Sequence, residues 1–124
     1  MNIFILDEDP VIAAKMLCDK HVPKMIVESA QMLSTAHRLL DGTPTKRRSR
    51  SGKTIQTYYE FKDMRDELYY TAVHKYHPCT TWTMESIENY NWHYGHFAAM
   101  AEEYTFRREK KHAIWEKLGI ILAA

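Results

Sequence analysis

Along the chain, apolar positions of helical spacing gather on either side of a stretch that is almost wholly polar. The clearest set is Val22, Met25, Ile26, Ser29, Met32, Leu33, Ala36, Leu39 and Leu40, which recur at steps of three and four and so share one helical face. This set predicts a helix over residues 23–40, ended by Asp41-Gly42. Asp9-Pro10 predicts an earlier helix over 10–20, since Asp caps and Pro suits the first helical position. Tyr58, Tyr59, Phe61, Met64, Leu68, Tyr69 and Ala72 fit a helix over 55–74, with 54–59 open to an extended start. Thr80 or Thr81 caps a helix from Trp82 to about residue 111, and Ala113, Ile114 and Trp115 mark a last one over 112–118. Residues 1–6 read as a single strand or an extended arm. The predicted class is all-α, mainly α: one compact helical domain over residues 1–124, with four to five helices and a long flexible loop over about 42–54.

Composition narrows the function classes. The chain has 124 residues, 45% apolar and 27% charged, as an ordinary globular domain has. No apolar run approaches the roughly 18 residues of a membrane span, so no membrane partner is expected. Ile3-Phe4-Ile5-Leu6 is followed at once by Asp7-Glu8-Asp9, unlike a signal peptide, and the expected location is the cytoplasm. Cys18 and Cys79 are expected as free thiols, with Cys18 a small buried hydrophobe. There is no glycine-rich phosphate loop, CxxC or GxSxG, and no cofactor is expected. Nothing in the pattern specifies an oligomeric state.

The net charge of +1 conceals an asymmetry. Lys46, Arg47, Arg48, Arg50 and Lys53 place five positive charges and no negative one within eight residues. Taking these five from the 17 basic residues leaves 12 against 16 acidic ones, a balance of −4 for the rest. The segment has no apolar anchor and reads as a mobile loop. It is either a solvated loop or a clamp for the phosphate backbone of nucleic acid, chiefly DNA.

Two polar stripes accompany the helices. His21, Lys24, Glu28, Gln31, Thr35 and Arg38 share one face of the helix over 23–40 and its lead-in, either as solvated surface or as acid/base and recognition groups. Trp82, Glu85, Asn89, Trp92, His96, Glu103 and Arg107 share a face in the second half. Interleaved rings, amide and charges suit a cleft where rings stack on a base, or a half-buried helix at the core edge. His74, His77 and Cys79, and His93 with His96, have ligand-capable spacing without a zinc-site frame, and no metal is expected.

The segment Cys18-Asp19-Lys20-His21-Val22-Pro23-Lys24-Met25-Ile26-Val27-Glu28 carries Asp-x-His, then six residues, then Glu. It resembles the first long helix of the small all-α phage pyrimidine-dimer DNA glycosylases (endonuclease V). The chain also resembles small tailed-phage proteins through CDKH, HPCT and EYT. The glycosylase resemblance implies DNA repair by a glycosylase/AP lyase, in which the chain's own α-amine attacks the sugar C1′ and forms a Schiff base. Position 2 is Asn2, so the implied amine is that of Met1. Glu28 then stabilises the developing cation, His21 holds the sugar–phosphate, and Trp82 or Trp92 fills the space left by a flipped nucleotide. Lys24, Asn89, Arg107 and the basic loop complete the expected nucleic-acid contacts. Gln31 stands where that family has an arginine. The expectation is a phage-type DNA-processing protein. The alternatives are another nucleotide- or base-processing enzyme, with Lys24, Glu28, His77, Asn89, Glu103 and Arg107 in one cleft, and a non-enzymatic factor binding nucleic acid or a host protein.

Overall fold

The computed structural model describes residues 2–49 and 51–123. Residues 2–6 form no regular element, and α1 (Pro10–Lys15) follows, with Asp9 Oδ1 accepting from the Val11 and Ile12 amides. This helix is half the predicted length, and the chain turns before α2 (His21–Asp41) begins. Pro23 does not break α2, because it lies in the first turn, where backbone amides have no helical partner to lose. Cys18 falls in the turn between them and is exposed, not buried as expected.

The all-α expectation is overturned: six α-helices accompany a two-stranded antiparallel sheet among the described residues. The sheet occupies the segment expected to be a flexible loop. β1 (Thr43–Arg48) pairs with β2 (Ile55–Glu60) in the register Thr45↔Tyr58, Lys46↔Thr57 and Arg47↔Gln56. Three local features favour pairing over disorder. Ile55, Thr57, Tyr58 and Tyr59 are residues that fit a pleated strand. Gly52, at φ +75°, supplies the left-handed turn, closed by bonds from the Gly52 amide to Ser49 O (2.8 Å) and from the Ser49 amide to Thr54 O (2.7 Å). Arg47 stacks on Tyr58, its guanidinium 3.7 Å from the ring centre, and reaches Glu60 at 3.9 Å. Pro44 is tolerated because the strand lies at a sheet edge.

The expected helix over 55–74 therefore dissolves into β2, a one-turn α3 (Arg65–Leu68) and an irregular run over 70–74. Next come α4 (Pro78–Glu85), capped by His77, and α5 (Ile87–Arg108), capped by Ser86. The single helix expected over 82–111 is thus two, divided where Ser86 turns extended to cap α5. Gly95 does not weaken α5. It lies where α1 comes close, and a Cβ there would sit 3.6 Å from the Pro10 ring. α6 (Ala113–Leu118) and a 3-10 turn (Ile121–Ala123) end the described chain.

α2 is the centre of the packing. Val22, Met25, Ile26 and Leu33 meet Phe97 and Met100 of α5, with Leu118 and Leu122 closing one end. The predicted apolar face is buried from Val22 to Ala36, while Leu40 runs out into solvent at 66% exposure.

Candidate functional site

The polar stripe on α2 divides into three fates. His21 stacks on Phe4, centroids 5.1 Å apart, and lines a hollow of about 340 Å³ with Leu6, Met16 and Cys18. Lys24 is exposed, whereas Glu28 is half-buried and its Oε2 is shielded from solvent. Thr35 and Arg38 are fully buried and structural. Thr35 Oγ1 accepts from the Val73 amide at 3.1 Å. Arg38 donates to the carbonyls of Tyr59, Asp66, Tyr69 and Tyr70 and to Asp66 Oδ1, all within 3.0 Å. These two side chains tie β2 and the irregular run after α3 to α2. Burial raises the Asp66 carboxyl, but bonds from Arg38, the Phe61 amide and Tyr58 outweigh it and hold it below its ordinary value.

The mixed stripe on α4 and α5 clasps the start of the chain. Trp92 donates to Glu8 O at 2.7 Å, and His96 Nδ1 to Pro10 O at 3.1 Å. Arg107 donates to Lys15 O, Leu17 O and Asp19 and pairs with Glu103 at 2.9 Å. Trp82 packs edge-on to Trp92, and Asn89 Nδ2 donates to Trp82 O. This explains why rings and charges alternate on a face that is neither core nor open surface: it supplies partners for the backbone that enters and leaves α1. Asn89, Glu103 and Arg107 are thus engaged within the fold, as is His77, whose Nδ1 accepts from the Cys79 amide. Met1 and Arg50, both candidate site residues, lie outside the described residues.

The histidine pairs have separate duties. His93 is fully buried. Thr83 Oγ1 donates to Cys79 O and so accepts from His93 Nδ1–H, leaving Nε2 to accept from Ser29. Burial, with His96 beside it, lowers His93 to about 3. Among the described residues no three His, Cys, Asp or Glu side chains are grouped so as to hold a metal ion. No helix among them is long and apolar enough to cross a membrane.

A cavity of about 270 Å³, which the sequence does not suggest, is lined by Leu40, Met84, Ile87, His37, Asp41 and Tyr90. Its polar groups resemble a catalytic relay but are committed. Tyr90 Oη donates to Leu122 O at 2.6 Å, so it accepts from His37 Nε2, also at 2.6 Å. Burial pushes the Tyr90 hydroxyl far above its ordinary value, which leaves it neutral and no nucleophile.

The exposed chemistry gathers on the hairpin. Lys46, Arg47 and Arg48 stand out from β1, and Lys53 from the turn. Among the described residues only Arg47 of these four has a carboxylate partner. Lys46 Nζ donates to Thr57 Oγ1 at 2.8 Å and Arg48 to Gly52 O at 3.3 Å, which fixes both heads along the ribbon. Lys75 joins them from the far side of β2, donating to Tyr59 Oη at 3.2 Å, with Tyr76 beside it. Bonds to Tyr59 and Tyr76 hold Lys75 above its ordinary value. Lys75, Tyr58, Tyr59 and Tyr76 were not among the expected contacts, because the helix expected over 55–74 took Tyr58 and Tyr59 for its apolar face and ended before Lys75 and Tyr76. No periodicity in the sequence groups them: alternation along β2 sets Tyr58 and Tyr59 on opposite faces, and Lys75 and Tyr76 lie beyond the strand. Comparison of the chain with protein-family models, with curated proteins and with solved structures finds no match in any of the three.

Proposed function

We propose that the protein binds nucleic acid through the β1–β2 hairpin. The observation that carries this reading is an exposed hairpin whose Lys46, Arg48 and Lys53 have no carboxylate partner among the described residues, in a chain whose other residues sum to the opposite charge. Such side chains meet phosphates and release condensed counterions. Lys46 and Arg48 bond within the hairpin only to neutral oxygens, of Thr57 and Gly52, so their charge stays uncompensated at the surface. The test is binding of labelled DNA, followed by anisotropy at about 50 mM salt, where phosphate contacts are strongest. Replacing Lys46, Arg47, Arg48 and Lys53 by Gln lowers affinity at least roughly tenfold, while Glu28→Gln leaves it unchanged. Equal affinity of the four-fold variant contradicts the reading.

A second reading is glycosylase/AP lyase chemistry through the chain's α-amine and Glu28. What favours it is that Glu28, unlike Lys24 one turn away, is held half out of water with one oxygen shielded, as suits a carboxylate that stabilises a nearby cation. Borohydride traps a covalent protein–DNA adduct on abasic or dimer-containing duplex if this chemistry operates. Absence of adduct on both substrates contradicts it.

A further inference from the structure

Two adjoining hollows of about 270 and 380 Å³ run along the outer edge of β2. They share Gln56, Thr57, Tyr59 and Ala72, so they form one groove between β2 and the chain at 71–75. Arg47 and Arg48 line one end, His74 and Lys75 the other. The register fixes what faces it. The Ser49 amide bonds Thr54 O, so by antiparallel alternation Gln56 and Tyr58 turn their peptide groups to β1, and Thr57 and Tyr59 turn theirs outward. Arg38 takes Tyr59 O, which leaves the Thr57 amide and carbonyl at the groove floor. At the far end the chain bends sharply: His74 adopts φ +48° and its carbonyl accepts from the His77 amide. That bend presents Tyr76 at 85% exposure, with the Lys75 ammonium 5.0 Å from its ring centre and 5.5 Å from that of Tyr59.

We infer that this groove is a track for single-stranded nucleic acid, with phosphates at Arg47, Arg48 and Lys75 and bases stacked on Tyr76 and against Tyr59. The inference rests on the nucleic-acid reading above and names its substrate. Cations at both ends of a groove, with Tyr59 between them and the exposed Tyr76 beside Lys75, match an unpaired strand, which offers both phosphate and ring. A duplex stacks its bases on one another and offers an exposed tyrosine nothing to stack on. An acidic peptide would use the cations and the Thr57 edge but not the exposed ring of Tyr76.

The test measures anisotropy of labelled oligothymidylate, a duplex of equal length and a polyaspartate peptide on the full chain. Variants are Tyr76→Ala, Tyr76→Phe and Lys75→Gln, each checked for an unchanged melting curve. The expected result is preference for the single strand, weakened roughly tenfold by Tyr76→Ala and kept by Tyr76→Phe, since stacking needs the ring alone. Lys75→Gln weakens single-strand binding as well, and duplex binding does not respond to Tyr76→Ala. Single-strand binding indifferent to Tyr76→Ala, or a duplex preferred, overturns the groove while leaving the hairpin as a nucleic-acid contact. Polyaspartate bound more tightly than either nucleic acid, or no nucleic acid bound, overturns both.

Discussion

Arg38 and His93 show how much polar chemistry this fold keeps inside. A buried guanidinium is stable only when every donor is matched, and Arg38 has four carbonyls and a carboxylate arranged around its fork. Arg38→Met strands those acceptors and is expected to cost about 3 kcal/mol or more in urea unfolding. Arg38→Lys does not rescue it, because a point cation cannot fill a fork. His93 makes a different prediction. Its folded pKa of about 3 lies below the unfolded value, so the unfolded chain binds more protons between the two. Stability is therefore full above about pH 6.5 and falls as pH drops toward 3, by up to about 1.4 kcal/mol per pH unit for one such group. His96 and His37, also lowered chiefly by burial, add to the slope. His93→Gln is expected to flatten the profile between pH 6.5 and 4.5 in denaturation midpoints, and an unchanged slope contradicts the assignment. In the sequence Arg38 stood in a row of polar residues at helical spacing, with nothing to mark it as the one that turns inward. Its partners are mostly backbone carbonyls of a segment whose path the sequence left open.

Elements were legible where an apolar stripe builds them. α2 and α6 follow their stripes nearly to the residue. The hairpin was not legible, because cross-strand polar pairs, an Arg47–Tyr58 stack and the buried hook of Arg38 hold it, and these leave no alternating apolar pattern. α1 was legible at its start, from Asp9-Pro10, but not in its docking by Trp92, His96 and Arg107: the stripe left open between a cleft and a half-buried helix edge is a clasp on the entering chain. Arg107→Ala is expected to release α1, costing about 2 kcal/mol and raising amide exchange over 10–19 while leaving α2 protected. Glu109, which ends α5 at φ +58°, gives the opposite sign. Glu109→Gly removes the left-handed penalty and is expected to raise stability by about 0.5–1 kcal/mol.

At the scale of the whole molecule, charge is sorted by place. The body carries the excess of acid and the core, and the ribbon carries exposed cations, of which Arg47 also holds the hairpin through its stack on Tyr58. The basic run was visible from composition alone. Its rigid form and its tyrosine neighbours were not, because they depend on pairing between positions well apart in the chain, 13 residues for Thr45↔Tyr58. A mobile loop would pay ordering entropy on contact, and a formed hairpin has already done so. The most direct measurement of the central claim is the salt dependence of DNA binding by the wild-type chain and the four-fold Gln variant. Each phosphate contact contributes about 0.7–0.9 to the slope of log affinity against log salt, so the account predicts a slope shallower by roughly 3 in the variant. Equal slopes would show that the ribbon does not meet phosphate, and would contradict it.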